Sequence, residues 1–104
     1  MTGSTALESS TPRESAAQQA ALLSAVADPV RLGLVWRLAQ GTRCVCDLQT
    51  DPAIPGNLLS YHLRVLREAG LVTTSRRGRW VDYTLAHDAL ARLHAALPSG
   101  GEPR

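Results

Sequence analysis

The chain's only two cysteines, Cys44 and Cys46, stand one residue apart in the stretch TRCVCDLQ. Side chains two positions apart share one side of an extended chain, whereas they diverge by roughly 200° on an ideal helix. The pair can therefore hold one ion only if it precedes the first helical turn, or if the ion unwinds that turn. Thiolates favour soft ions such as As(III), Sb(III), Cd(II) and Pb(II) over Mg(II) or Ca(II).

Two protein thiolates are few ligands for such an ion, so we expect the site to leave room for an outside thiol. Ion binding is not the only role open to the Cys44–Cys46 pair. As a redox switch, the close pair would itself be oxidised and reduced reversibly. A thiol oxidoreductase is a different class, although it usually carries a CxxC sequence on a βαβ frame. A chance occurrence of two neighbouring cysteines is the remaining alternative.

The length and composition limit the classes of protein that need to be considered. A chain of 104 residues predicts one domain with one modest core. We find neither an apolar run of the ~20 residues that a membrane span requires nor a secretory leader, and we expect a soluble cytoplasmic protein. No Ser-His-Asp set, HExxH sequence, glycine-rich phosphate loop or paired carboxylates appear, so we do not expect an enzyme.

Positive charge is concentrated in one part of the chain. All eleven basic residues are arginines. Between Ser60 and Trp80 five arginines face a single acid, Glu68, which leaves a local excess of four positive charges. Such a cluster is compatible with a solvated helix face. It also fits nucleic acid, because the planar guanidinium matches phosphate and guanine.

The hydrophobic pattern divides the chain into elements. We predict an arm over 1–13, a folded domain over 14–97 and a tail over 98–104. Helical spacing begins near Glu14, and a second helix has Asp28 as N-cap and ends at Gly41. A short helix over 45–50, a proline-rich turn over 51–57 and a longer amphipathic helix that Gly70 ends come next. Alternating β-branched and aromatic residues then predict a β-hairpin that turns at Gly78, before a last helix over 88–97.

The order short helix, turn, longer helix and basic hairpin predicts a winged helix-turn-helix. The fold class is mostly α with one small two-stranded β-hairpin. The longer helix would enter the major groove of DNA and the hairpin would grip the backbone or the minor groove. The residues that we expect to meet DNA are Asn57, Ser60, Tyr61, His62, Arg64, Arg76, Arg77 and Arg79. For His62 we expect packing or a DNA-facing position rather than metal ligation.

Apolar residues on the first and last helices are the candidate dimer faces. These residues are Leu22, Val26, Leu90, Leu93 and Leu97. We assign Trp36 to the core or to the dimer interface, and Trp80 and Tyr83 to the support of the hairpin.

Four stretches in this order and spacing resemble the arsenic-repressor (ArsR/SmtB) family of bacterial metal-sensing repressors. They are ADPVRL, CVCDL, SYHLRVLREAGLV and RRGRWVDYTL, within residues 19–95. The resemblance implies a homodimer that binds a palindromic DNA operator until a metal releases it. CVCDL is similar to the branch that binds arsenite or antimonite, or cadmium and lead, at the start of the first helix of the helix-turn-helix. The implied ligands are Cys44 and Cys46, and the implied inducer is As(III) or Sb(III), with Cd(II) or Pb(II) as the alternative.

The sequence departs from the family pattern at several positions. Arsenite sensors commonly carry a third cysteine where this chain has Gln49, and the arm contains none of the cysteines that cadmium and lead sensors add. His87 and His94 do not match the spacing of the family's second metal site. Pro55 stands where the family usually has a serine cap, and we expect Asn57 to cap the longer helix instead.

Overall fold

The structure is a computed structural model that describes residues 12–50 and 53–98. The predicted arm up to residue 11 and the tail from residue 99 lie outside the described residues. The elements follow one another as α1 (Pro12–Val26), α2 (Pro29–Leu38), β1 (Arg43–Cys44), α3 (Val45–Leu48), α4 (Gly56–Glu68), β2 (Val72–Arg77), β3 (Trp80–Leu85) and α5 (Ala89–Ala95). None of the helices in these two ranges is long and apolar enough to cross a membrane. The predicted order of helices and hairpin is confirmed.

Asp28 starts α2 as the sequence predicts. Its backbone is extended, and its carboxylate accepts hydrogen bonds from the N–H groups of Val30 (2.9 Å) and Arg31 (3.1 Å). These bonds satisfy donors that have no partner within the helix. They stabilise the charged carboxylate, and the Arg31 N–H is the main reason that the pKa of Asp28 is lowered. The start of α2 is therefore fixed by a local interaction.

The core forms where α4 lays its apolar face on α2 and α3. Leu59, Leu63 and Leu66 of α4 are almost fully buried, as their helical spacing predicts. Leu48 anchors the short helix α3 in the same core. The buried apolar residues are Ala25, Leu34, Val35, Leu38, Leu48, Leu59, Leu63, Leu66, Leu71, Val72 and Ala89. Because α4 is packed along one side only, its opposite side is left free.

The start of α4 differs from the prediction. The helix begins at Gly56, and Pro55 occupies the N-cap position with an extended backbone and no side-chain cap bond. Asn57 lies inside the first turn and is exposed. The prediction that Asn57 caps this helix is therefore wrong. The reason is that the proline ring already holds the backbone that an N-cap needs, so the helix starts directly after it.

The predicted hairpin forms and gains a third strand. Strands β2 and β3 are joined by the turn Gly78–Arg79, with Gly78 at φ +59°, a conformation that glycine adopts without steric cost. On its other side β3 pairs antiparallel with β1, and the sheet order is β1-β3-β2. Arg43 lies opposite Tyr83 and Cys44 opposite Asp82. The sequence did not predict β1, because two residues are too few to show an alternating pattern.

We expect Asp28→Ala to lower the melting temperature near neutral pH, because the carboxylate cap of α2 is lost. Asp28→Asn should lower it less, since an amide oxygen still accepts the bonds. The folded pKa of Asp28 lies below its ordinary value of 3.8, so the contribution of the charged cap is present above that value and is lost as pH falls through the folded pKa. The difference in melting temperature between wild type and Asp28→Ala should therefore become smaller in acid. Thermal melts followed by circular dichroism measure this difference.

Candidate thiol site and nucleic-acid interface

The two cysteines meet at the junction between β1 and α3. Cys44 has an extended backbone (φ −69°, ψ 147°) and is the N-cap of α3, while Cys46 lies in the first turn of that helix. The Cys44 Sγ accepts a hydrogen bond from the Cys46 N–H at 3.2 Å. The structure joins the two sulfurs as a disulfide, and the Cα atoms are 5.2 Å apart. The structure places Cys44 before the first turn of α3 and Cys46 within that turn, so the pair straddles the start of the helix.

The short helix α3 is fixed to the body of the protein, although its thiols face solvent. Arg37 of α2 donates hydrogen bonds to the carbonyl oxygens of Asp47 (2.9 Å) and Leu48 (3.4 Å). Cys46 is exposed and Cys44 is half-buried. Within 12–50 and 53–98, no group of three or more His, Cys, Asp or Glu side chains could hold a metal ion. When the disulfide is reduced, the pair provides two soft ligands that an outside molecule can reach.

Gln49 connects the thiol segment to the longer helix. A Cβ atom on Gly56, the first residue of α4, would lie only 3.1 Å from the Gln49 side-chain nitrogen. The carbonyl oxygen of Gln49 also accepts the Ile54 N–H at 3.1 Å. Gln49, which follows α3, therefore lies beside the start of α4.

The outer face of α4 carries the predicted DNA-reading residues. Asn57, Ser60, Tyr61 and Arg64 are all exposed, on the side opposite the buried leucines. The guanidinium carbon of Arg64 lies 5.8 Å from the centre of the Tyr61 ring, which is the geometry of a cation–π contact. The helix thus presents polar and planar groups that can reach base edges in a groove.

His62 does not belong to this outer face. Only 6% of its surface is exposed, and its Nδ1 lies 3.0 Å from the Arg31 Nη1. Because an arginine can only donate, His62 Nδ1 accepts this bond. Arg31 also donates to the Ala25 carbonyl oxygen at 2.6 Å. His62 therefore ties α4 to α1 and α2, and its burial removes it from the residues that can contact DNA.

The hairpin presents three exposed arginines, Arg76, Arg77 and Arg79, near its tip. The Arg77 Nε and Nη2 donate to the two carboxylate oxygens of Asp82 at 2.5 and 3.0 Å. These bonds lower the pKa of Asp82 and raise that of Arg77. The sequence pattern did not identify Asp82 as a functional residue. Its alternation with Trp80 and Thr84 indicates that these three residues share one face of the strand. Only the strand register shows that Asp82 meets Arg77 on that face.

Apolar side chains remain uncovered on α2 and α5. Trp36 is 68% exposed, so its assignment to the core is wrong, and Leu90 and Leu97 are exposed as well. They border a groove of about 340 Å³ between α1, α2 and α5 that is lined almost wholly by apolar groups. Of the other predicted dimer residues, Leu22, Val26 and Leu93 are half-buried against the core. Tyr83 packs on the core from β3, whereas Trp80 stands half exposed opposite Arg77.

A short helix, a turn, a longer helix with a free polar face and a basic hairpin define the winged helix-turn-helix class of DNA-binding proteins. Comparison with known proteins narrows this class. Residues 28–74 match the sequence profile of the family described as "Bacterial regulatory protein, arsR family".

Among curated proteins, the chain is 43% identical over 82 residues to the HTH-type transcriptional repressor SmtB of Mycobacterium tuberculosis, covering 79% of this chain and 61% of that one. It is 42% identical over 66 residues to the arsenical resistance operon repressor of Escherichia coli, covering 62% of this chain and 56% of that one. The chain thus spans about three fifths of the length of these two relatives.

Solved structures give the same result. The crystal structure described as a possible transcriptional regulator for arsenical resistance is 40% identical with a TM-score of 0.67, covering 71% of this chain and 77% of that one. Reduced HlyU from Vibrio cholerae is 30% identical with a TM-score of 0.72, covering 80% of this chain and 88% of that one. The chain belongs to the arsR family of bacterial regulatory proteins, and the family expected from the sequence motifs is confirmed.

Proposed function

We propose that this protein is a DNA-binding transcriptional repressor that leaves its operator when a soft metal(loid) ion, As(III) or Sb(III), binds Cys44 and Cys46. The observation that carries the proposal is the meeting of both sulfurs at the start of α3, the first helix of the helix-turn-helix. Repression by the SmtB and arsenical-resistance relatives supports the first half of the proposal. The two soft ligands support the second half.

DNA binding is assigned to the free face of α4 and to the hairpin. Asn57, Ser60, Tyr61 and Arg64 read base edges in the major groove, because they project from the side of α4 that the core leaves uncovered. The hairpin arginines Arg76, Arg77 and Arg79 contact phosphates, which supplies affinity for any sequence.

Release follows from the strain that a shared ligand puts on the start of α3. Two thiolates that bind one ion fix the distance between their sulfurs, and the backbone between Cys44 and Cys46 must adapt. The Gln49 side chain lies beside Gly56, and we infer that α4 receives this adjustment at its first residue. Any free energy by which the ligand disfavours the DNA-bound shape appears as lower DNA affinity, and DNA lowers ligand affinity by the same factor.

A redox switch at the same cysteines is the second candidate function. It is favoured by the disulfide that joins Cys44 and Cys46 in the structure, and a relative of the same fold has been solved in a form described as reduced. In this alternative, oxidation of the pair to the disulfide replaces ion binding as the signal. A Cd(II) or Pb(II) sensor is the variant in which the ligands are the same and the ion differs.

We also propose that the protein acts as a homodimer through the apolar surface of α1, α2 and α5. Trp36, Leu90 and Leu97 are large apolar side chains left exposed beside one groove. Contiguous apolar surface of this kind marks an interaction site, and a two-fold dimer presents two DNA-reading helices to the two halves of a palindrome.

The DNA assignment predicts two different kinds of loss. Arg79→Ala should weaken binding to operator and random DNA by similar factors and reduce the slope of log K against log salt by about 0.9, as expected for one lost phosphate contact. Ser60→Ala or Arg64→Ala should instead change sequence preference, by about 1–3 kcal/mol for each lost base contact. Fluorescence anisotropy over a salt series measures both effects. A protein that binds its own promoter no better than random DNA would contradict the repressor assignment.

The sensor assignment predicts that Cys44→Ser and Cys46→Ser keep operator affinity but lose release by arsenite. Neither residue lies on α4 or the hairpin tip, and serine is a good N-cap, so the fold should persist. The measurement is operator binding titrated with arsenite, in parallel with the absorption of thiolate–arsenic bonds.

Gln49→Cys is the gain-of-function partner of these variants, because it adds a third thiolate at the position that arsenite sensors use. It should lower the arsenite concentration needed for release. If both serine variants still respond to arsenite, the pair is not the sensor. Release by peroxide alone, reversed by dithiothreitol and abolished in both variants, would identify the redox switch instead.

The dimer assignment predicts that Leu97→Glu converts the protein to a monomer in sedimentation velocity. Leu97 is exposed in the single chain, so the substitution leaves the core intact while placing a charge in the proposed interface. Leu58→Glu is the matched control, since Leu58 is also an exposed leucine but lies on α4; it should stay dimeric. An unchanged sedimentation coefficient for Leu97→Glu would show that another surface mediates association.

A further inference from the structure

Cys44, Asp82 and Arg77 lie on one face of the three-stranded sheet. Cys44 is directly opposite Asp82 on β3, and Asp82 is directly opposite Ser75 on β2. Side chains of directly paired residues share a face, and so do residues two apart on a strand. Arg77 is two residues from Ser75 and therefore projects to the same side. Cys44, Asp82 and Ser75 thus form one cross-strand row, and Arg77 reaches Asp82 diagonally on the same face.

Asp82 is held in place by Arg77, whereas Arg77 keeps hydrogen-bond donors that a further acceptor can use. The side chain of Asp82 is 13% exposed, and both of its oxygens are bound by Arg77. The Arg77 side chain is 61% exposed. Since the ion pair uses Nε and one Nη2 hydrogen, the Nη1 group and the second Nη2 hydrogen remain for another acceptor. A guanidinium held in this way is preorganised to bind phosphate.

We propose that Asp82 is a positioning residue that holds Arg77 for DNA, and that the state of the thiol pair reaches the hairpin through Asp82. The proposal rests on the proposed function and adds a second route to it. The first route runs from α3 through Gln49 to the start of α4; the second runs from Cys44 across the β1–β3 pairing to Arg77. An inducer would thereby weaken base reading and backbone binding together.

The short length of β1 makes this second route sensitive to the cysteines. The strand has two residues, and its register partners on β3 are Tyr83 and Asp82. Thr42, just before the strand, adds one hydroxyl contact to Thr84 at 2.9 Å. A shift of Cys44 therefore acts on one of the two pairs that attach β1 to the hairpin, and that pair contains Asp82.

The test of positioning is a double-mutant cycle on operator DNA with Arg77→Ala, Asp82→Ala and the double variant. Each single change should weaken binding about tenfold, as expected for one charge-assisted contact. Each should also reduce the salt slope by about 0.9. The double variant should lose about tenfold rather than a hundredfold, because both residues serve the same contact. Asp82→Asn, which keeps the size of the side chain, provides a second variant if Asp82→Ala does not fold.

The direction of the effect separates this proposal from simple electrostatics. Removing an acid makes the protein more positive, which by itself strengthens DNA binding. Asp88→Asn is the matched control, because it also removes an acid that pairs with an arginine (Arg92, 3.1 Å) but lies next to α5; it should not weaken binding. Arg76→Ala, on the opposite face of β2, should add its loss in full to that of Asp82→Ala. Tighter binding by Asp82→Ala, or additive losses with Arg77→Ala, would overturn the positioning role.

The test of the second route is the ratio of operator dissociation constants with and without saturating arsenite. This ratio should fall at least threefold in Asp82→Ala relative to wild type, and remain at the wild-type value in Arg76→Ala. An unchanged ratio in Asp82→Ala would overturn the route through β1. If wild type responds to oxidation rather than to arsenite, the same ratio is taken between oxidised and reduced protein. If the wild-type protein responds neither to arsenite nor to oxidation, the proposed function itself is contradicted. This outcome is distinct from a failure of the route through β1.

Discussion

The change from extended to helical backbone between Cys44 and Val45 is the constraint on which the rest of the site depends. It allows two side chains that would diverge on a helix to meet. It also leaves Cys44 with strand geometry, so the same residue pairs with Asp82 of the hairpin. The thiols therefore lie at a junction beside both elements that we propose to bind DNA. Gln49 lies between this junction and α4, and Asp82 lies between it and the hairpin.

Much of this architecture could be predicted from the sequence, because its determinants are local. Asp28 begins α2, Gly78 turns the hairpin, and the leucine spacing of α4 identifies its buried face. Strand β1 could not be predicted in this way. Its two residues form a strand only because the hairpin already exists beside them, and that pairing is a tertiary interaction. The start of α4 was misplaced for a related reason, since Pro55 supplies the backbone of a cap without the side chain by which caps are recognised.

The exposure of most candidate site residues could be predicted from the sequence, but that of His62 was not, and neither were the partners of these residues. The positions of Cys44 and Cys46 and the exposed face of α4 follow from spacing alone. The partners of these residues do not, because His62 with Arg31 and Asp82 with Arg77 are separated along the chain or depend on strand register. Burial of His62 illustrates the difference. Its spacing from Leu59 and Leu66 places it on the buried stripe of α4, but its partner Arg31 on α2 could not be predicted from the sequence.

The use of arginine alone for positive charge in the hairpin has a chemical consequence. Acetylation removes the charge of lysine but has no counterpart that neutralises a guanidinium under the same conditions. This chain contains no lysine at all, so acetylation of lysine cannot reduce the positive charge of its hairpin. The charge of this surface is therefore out of reach of the commonest modification of basic side chains, whereas the two sulfurs remain open to chemical change.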